Sequence, residues 1–169
     1  MPQATVEMEA VVGEIVGQLS RWNVWTRQNG GQKKIDAPDV GYLTREVYKG
    51  LTKEQRKTFQ GAPFSPIFAI EVADILIKSK FEKLDRKIKD DYFAPESSVR
   101  LAWLIDPVNK EIHLYRRGMR RHSWGWRDIG GGRVLLGFTL EVWKIDQVIE
   151  VRCYFILITT FMLLFIIFL

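Results

Sequence analysis

Ile67-Phe68-Ala69-Ile70-Glu71-Val72 decides how this chain folds. It is a short, nearly continuous apolar run with β-branched residues, bounded upstream by a two-proline loop from Gly61 to Pro66. Such a run is best read as a buried strand. One residue does not belong to the apolar set. Glu71 sits between Ile70 and Val72, where a carboxylate is unfavourable unless a cation, a lysine or a hydrogen-bond network compensates its burial. The bland alternative is an acid on an edge strand that reaches solvent.

Working outward, Leu101 to Ile105 reads as a second buried strand, Asp106-Pro107-Val108-Asn109-Lys110 as a turn, and Ile112 to Arg116 as the hairpin partner. Between the two buried strands, Phe81, Leu84, Ile88 and Tyr92 recur at helical spacing. Upstream, Val6, Met8, Val11, Val12, Ile15, Val16, Leu19 and Trp22 predict an amphipathic helix over residues 5–22. Asn29-Gly30-Gly31 marks a turn, and Asp39 to Leu43 a short strand. Thr52-Lys53-Glu54-Gln55 fits a capping box that opens a helix to about Phe59. Gly130-Gly131-Gly132 reads as a flexible break, and Val134 to Trp143 as a closing strand. The order is helix, strand, helix, strand, helix, strand, strand, which predicts an α/β or α+β domain with a mixed sheet over residues 1–150.

The composition narrows the chemistry. The chain has 169 residues, 47% of them hydrophobic and 27% charged, enough for one domain with a real core. A single cysteine, Cys153, excludes an internal disulfide and a cysteine-based zinc site. The two histidines argue against a histidine-rich metal site, leaving carboxylates as metal ligands. Met1 to Ala10 carries Glu7 and Glu9 and no basic run, so no signal peptide is expected and an intracellular location follows. The net charge of +5 is concentrated between Lys110 and Arg133, around Arg116, Arg117, Arg120, Arg121 and Arg127, with Trp124 and Trp126 inside the block. Such a patch suits a polyanion such as nucleic acid; a solvated charged hairpin fits the same pattern.

Residues 151–169 differ from the rest. Cys153 to Leu169 carries no charge. As a helix it would span roughly 25 Å, against about 30 Å of membrane hydrocarbon. Three readings stay open: a transmembrane tail anchor, a buried strand or helix, and a non-native tail from a shifted reading frame or translated intron.

Asp39, Glu71 and a downstream lysine form the candidate site. Two carboxylates hold a hard cation through oxygen, and an ammonium group helps orient or activate water. Taken singly, Asp39 reads as a turn cap and Lys87 as part of a solvated face.

Ala37-Pro38-Asp39-Val40, Phe68-Ala69-Ile70-Glu71-Val72, Lys87-Ile88 ahead of Tyr92, and Trp103-Leu104-Ile105-Asp106-Pro107 followed by Leu114-Tyr115-Arg116 occur in that order. This ordered set resembles the "putative restriction endonuclease" family of the PD-(D/E)XK nuclease superfamily, and Gly137-Phe138-Thr139-Leu140 is similar to its closing segment. The resemblance covers roughly Val11 to Asp146. It implies a restriction-endonuclease-like mixed sheet flanked by helices and a Mg²⁺- or Mn²⁺-dependent cleavage of DNA phosphodiesters. It also implies Asp39 and Glu71 as metal-binding catalytic acids and Lys87 as the catalytic lysine, with Lys83 the runner-up, because the position two after the glutamate is Ala73. Glu14, with Glu9 behind it, is the candidate for a further acid on the first helix. The alternative is an inactive nuclease-fold module that binds nucleic acid or a partner. Expected partners are DNA, a membrane through residues 153–169, and a second copy in a homodimer. Two departures stand out. Only Gln32 to Asp36 separate the Asn-Gly-Gly turn from the Pro-Asp motif, where the family has a strand pair, and the apolar tail has no family counterpart.

Overall fold

A computed structural model describes residues 6–25, 31–33, 38–53, 66–95 and 97–150. The predicted strand at residues 67–72 is β3, Phe68–Val72, and every residue in it is buried. It lies inside a six-stranded mixed sheet whose order follows the chain. β1 (Gly31–Lys33) pairs antiparallel with β2 (Val40–Leu43), and β2 pairs antiparallel with β3. β3 runs parallel to β4 (Leu101–Asp106), the one parallel pair in the sheet among the described residues. β5 (Glu111–Arg116) returns antiparallel to β4, and β6 (His122–Ser123) edges β5. A parallel pair needs a crossover, and residues 78–92 supply it as α3 (Lys78–Arg86) and a π-helical turn, Lys87–Tyr92.

Strand alternation decides what each sheet face can hold. Phe68, Ile70 and Val72 point one way and join Leu101, Trp103, Ile105, Ile112 and Leu114 in the larger core. α1 (Val6–Trp25) covers that face with Val11, Ile15, Leu19 and Trp22, the predicted stripe. Ala69, Ala102, Leu104 and Tyr115 line the other face, against Ile88, Tyr92 and Val99. The two alanines make room for the crossover helix to approach. Glu71 has the parity of Ala69, so its carboxylate lies on the crossover-helix face, away from α1.

Asp106, fully buried at the end of β4, organises the loops at that edge. Its Oδ1 accepts the backbone N–H groups of Val108 and Asn109, both at 2.9 Å, closing the predicted hairpin turn. Its Oδ2 accepts the Ile75 N–H at 2.9 Å and so fixes the loop that leaves β3.

Several expectations change. A helix absent from the sequence reading, α2 (Arg45–Gly50), follows β2 and is capped by the Thr44 hydroxyl, which accepts the Val47 N–H at 3.4 Å. The short stretch before Asp39 still contributes a sheet strand, β1. The helix expected to run on from Thr52 lies outside the described residues, as do residues 151–169. Among the described residues no helix is long and apolar enough to cross a membrane.

Val134–Trp143 is not a continuous strand. Only β8 (Thr139–Leu140) pairs, with β7 (Ile129–Gly130), and residues 142–150 are helical (α4). The apolar spacing of Val142, Ile145 and Ile149 suits that helix, and its first N–H, from Val142, is accepted by Asp128 at 2.9 Å. Gln18 of α1 accepts the Glu141 N–H at 2.8 Å and donates to its carbonyl at 3.1 Å, locking this segment to α1.

Nor is the triple glycine a flexible break. The Gly131 N–H donates to the Phe138 carbonyl at 2.9 Å, and a methyl group at Gly131 would overlap the buried Leu135 side chain and crowd its carbonyl. Gly131→Ala therefore forces an overpacked turn and is expected to destabilise the protein by about 1–3 kcal/mol. Chemical denaturation measures it, and an unchanged midpoint would refute the close approach.

Candidate active site

The antiparallel register of β2 and β3 pairs Val40 with Ile70, Gly41 with Ala69 and Tyr42 with Phe68. Continued by one residue, it sets Asp39 opposite Glu71. Side chains at opposed positions stand about 4.5–5.5 Å apart at Cβ, and like charges there repel. Asp39 Oδ2 is held by the Val72 N–H at 2.7 Å, tying the start of β2 to the end of β3.

Glu71 is compensated from the crossover helix. Lys87 Nζ lies 2.9 Å from Glu71 Oε1, and the Tyr92 hydroxyl donates to the same oxygen. The lysine also lies over the Tyr92 ring, 5.4 Å from its centroid. Burial raises the Glu71 pKa above the ordinary carboxylate value, and the Asp39 charge adds to the rise. The hydrogen bonds from Lys87 and Tyr92 and the lysine's charge oppose it without cancelling it. The Tyr92 hydroxyl is pushed strongly upward, first by burial and then by the Glu71 charge, so it stays a proton donor.

The structure thus brings together Asp39, Glu71 and Lys87, three residues far apart in sequence. Lys87 rather than Lys83 reaches the Glu71 carboxylate; Lys83 is exposed on α3. Ala73, the vacant lysine position, donates its N–H to the Ile105 carbonyl at 3.0 Å and packs partly against the smaller core. Glu14 does not join the site. It pairs with Arg21 at 2.9 Å on α1, which covers the opposite sheet face. Glu9 is exposed on the same helix. Among the described residues no group of three or more His, Cys, Asp or Glu side chains could hold a metal ion.

A divalent cation fits the donor chemistry of the pair. Asp39 uses Oδ2 on Val72, and Glu71 uses Oε1 on Lys87 and Tyr92, so among the described residues one oxygen of each remains without a hydrogen bond. Two such carboxylate oxygens are ligands that Mg²⁺ and Mn²⁺ accept, the other positions going to water or phosphate oxygen.

The sequence reading placed Tyr92 on the apolar face of the helix and within the ordered set of resembling segments but gave its hydroxyl no role; in the structure that hydroxyl donates to Glu71. No local signal pointed to its pairing there with Lys87, because a spacing of five does not align two residues on an α-helix.

The basic block divides. Arg117 donates to the carbonyls of Val99 at 3.0 Å and Ser97 at 2.6 Å, and Arg121 pairs with Asp85 at 2.8 Å while covering the Phe81 ring. Both are structural ties between β5, β6 and the crossover segment. Arg127 lies over the Trp124 ring at 4.5 Å, and Arg116 and Arg120 are exposed.

No family model matches the chain, and no curated protein matches it in sequence. In three dimensions it is similar to the crystal structure of a protein from Anabaena variabilis described as a "putative nuclease belonging to DUF820". The TM-score is 0.63 at 13% identity, over 88% of this chain and 84% of that one. At this identity the likeness is one of fold alone: a mixed sheet flanked by helices.

The sign of the Glu71 shift gives a test. A folded-state pKa above the unfolded value means stability is fully present at acid pH and falls as pH rises through the folded pKa. Glu71→Gln carries no charge to desolvate. It is expected to gain on the wild type as pH is raised from acid to neutral, in denaturation midpoints measured across that range. A parallel pH dependence for the two proteins would contradict the burial cost.

Proposed function

We propose that the chain is a metal-dependent endonuclease that hydrolyses DNA phosphodiester bonds, with Asp39, Glu71 and Lys87 as its site. The observation that carries this reading is the convergence of the three groups: two acids opposed across β2 and β3, with an ammonium 2.9 Å from the buried one. Support also comes from a neighbour in fold that is itself described as a "putative nuclease".

Asp39 and Glu71 would hold Mg²⁺ or Mn²⁺, which when bound lowers the pKa of a coordinated water and stabilises charge gathering on the phosphate. The chain's own residues do the rest. The Val72 N–H orients Asp39, and the crossover helix orients Glu71. Lys87 sets a positive charge beside the acids, where it orients the attacking water or a phosphate oxygen. Burial of Glu71 keeps bulk water from fully screening its charge.

A binding module without cleavage is the second reading. The specific observation in its favour is the lack of a third acid beside the pair among the described residues.

Plasmid DNA incubated with the protein and Mg²⁺ or Mn²⁺ separates the two. Nicking or linearisation is expected. Asp39→Ala and Glu71→Ala are expected to abolish it, and Lys87→Ala to slow it by roughly a hundredfold or more. Intact plasmid under both metals, with DNA still bound, would select the binding module.

The exposed part of the basic block is the proposed DNA surface. Arg116→Ala combined with Arg120→Ala is expected to weaken DNA binding and flatten the slope of log affinity against log salt by about 0.9 for each phosphate left without its arginine. Arg117→Ala, by contrast, is expected to lower the melting temperature. Binding titrations over a salt series read the first outcome; an unchanged slope places the DNA elsewhere.

A further inference from the structure

The helix that covers Glu71 changes pitch where it reaches the site. Lys78–Arg86 is α-helical, and Lys87–Tyr92 is a π-helical turn. Lys87 and Tyr92 are its first and last residues. In an α-helix each residue turns about 100°, so positions five apart face about 140° away from one another. The i→i+5 bonding of a π turn closes a wider loop and returns the fifth residue over the first. Lys87 Nζ and the Tyr92 hydroxyl accordingly meet on one atom, Glu71 Oε1.

The intervening residues do not explain the turn. Lys89, Asp90 and Asp91 are exposed, and Ile88 packs into the smaller core as an α-helical residue would. π turns are rare, and those that occur concentrate at functional sites. A lysine alone would give Glu71 its counter-charge. The tyrosine adds no charge, but it contributes a second, rigidly packed donor.

We propose that Tyr92 is a positioning residue for the metal-binding carboxylate: delivered by the π turn, it shares Glu71 Oε1 with Lys87, locks the side chain's torsions and reserves Oε2 for the cation. This rests on the metal-dependent reading above. Donors behind a metal ligand characteristically change metal affinity by about 10–100-fold when removed.

Mn²⁺ titrated calorimetrically into the full chain, without DNA, provides the test. Tyr92→Phe keeps the ring in the smaller core and removes only the donor. It is expected to bind Mn²⁺ roughly tenfold or more weakly than the wild type. A tyrosine with a merely structural role would lower the melting temperature of the metal-free protein and leave Mn²⁺ affinity as it was, which overturns the proposal. A second variant lacks the exposed Asp90. Its helix can run on as α, with lysine and tyrosine four apart and about 40° from one another, still on one face. Wild-type Mn²⁺ affinity is expected; a folded deletion variant that has lost it would refute the shared-face account. Wild-type protein that binds no Mn²⁺ overturns the metal reading and this proposal together. Mn²⁺ binding equal in wild type and Tyr92→Phe overturns the positioning role alone.

Discussion

The structure turns on one carboxylate that an apolar strand would rather not contain. Glu71 has Ile70 and Val72 beside it, Leu104 in the neighbouring strand and Asp39 across from it. Left alone, it would take up a proton or break the strand. It stays because the crossover helix brings Lys87 and Tyr92 to one of its oxygens. Three features follow from that need: two alanines under the helix, a π turn in its last part, and a tyrosine that spends its polar end on an acid.

The scaffold holds the helix in place by the same means, a buried or half-buried acid satisfied by many donors. Asp85 accepts from the Tyr115 hydroxyl at 2.9 Å and pairs with Arg121 and Lys89, so α3 is tied to β5 and to the segment beyond it. Burial raises the pKa of Asp85, but the three donors outweigh it and hold the group below the ordinary range. Asp106 does the equivalent work at the end of β4. Glu71 differs from both. Its donors do not fully offset its burial and the charge of Asp39.

The basic block carries two jobs that charge alone does not separate. Arg117 and Arg121 satisfy carbonyls and a carboxylate at the surface of the fold, whereas Arg116 and Arg120 are exposed on β5 and the turn beyond it.

The sequence by itself determined the two buried strands, the first helix, the hairpin at Asp106 and the identity of the candidate acids. Those features depend on local periodicity, turn chemistry and a charge out of place, all of which lie within a few residues of one another. It misread the segment from Gly130 to Trp143, where the lack of room for a methyl group against Leu135 and a cap from Asp128 decide between strand, turn and helix. Only the tertiary structure settled which lysine reaches Glu71, that Tyr92 is its partner, and that Glu14 lies with α1 across the sheet. Each of those depends on strand parity and helix pitch taken together. A one-residue change in either turns a side chain to the other face, and no local pattern records which face its distant partner occupies.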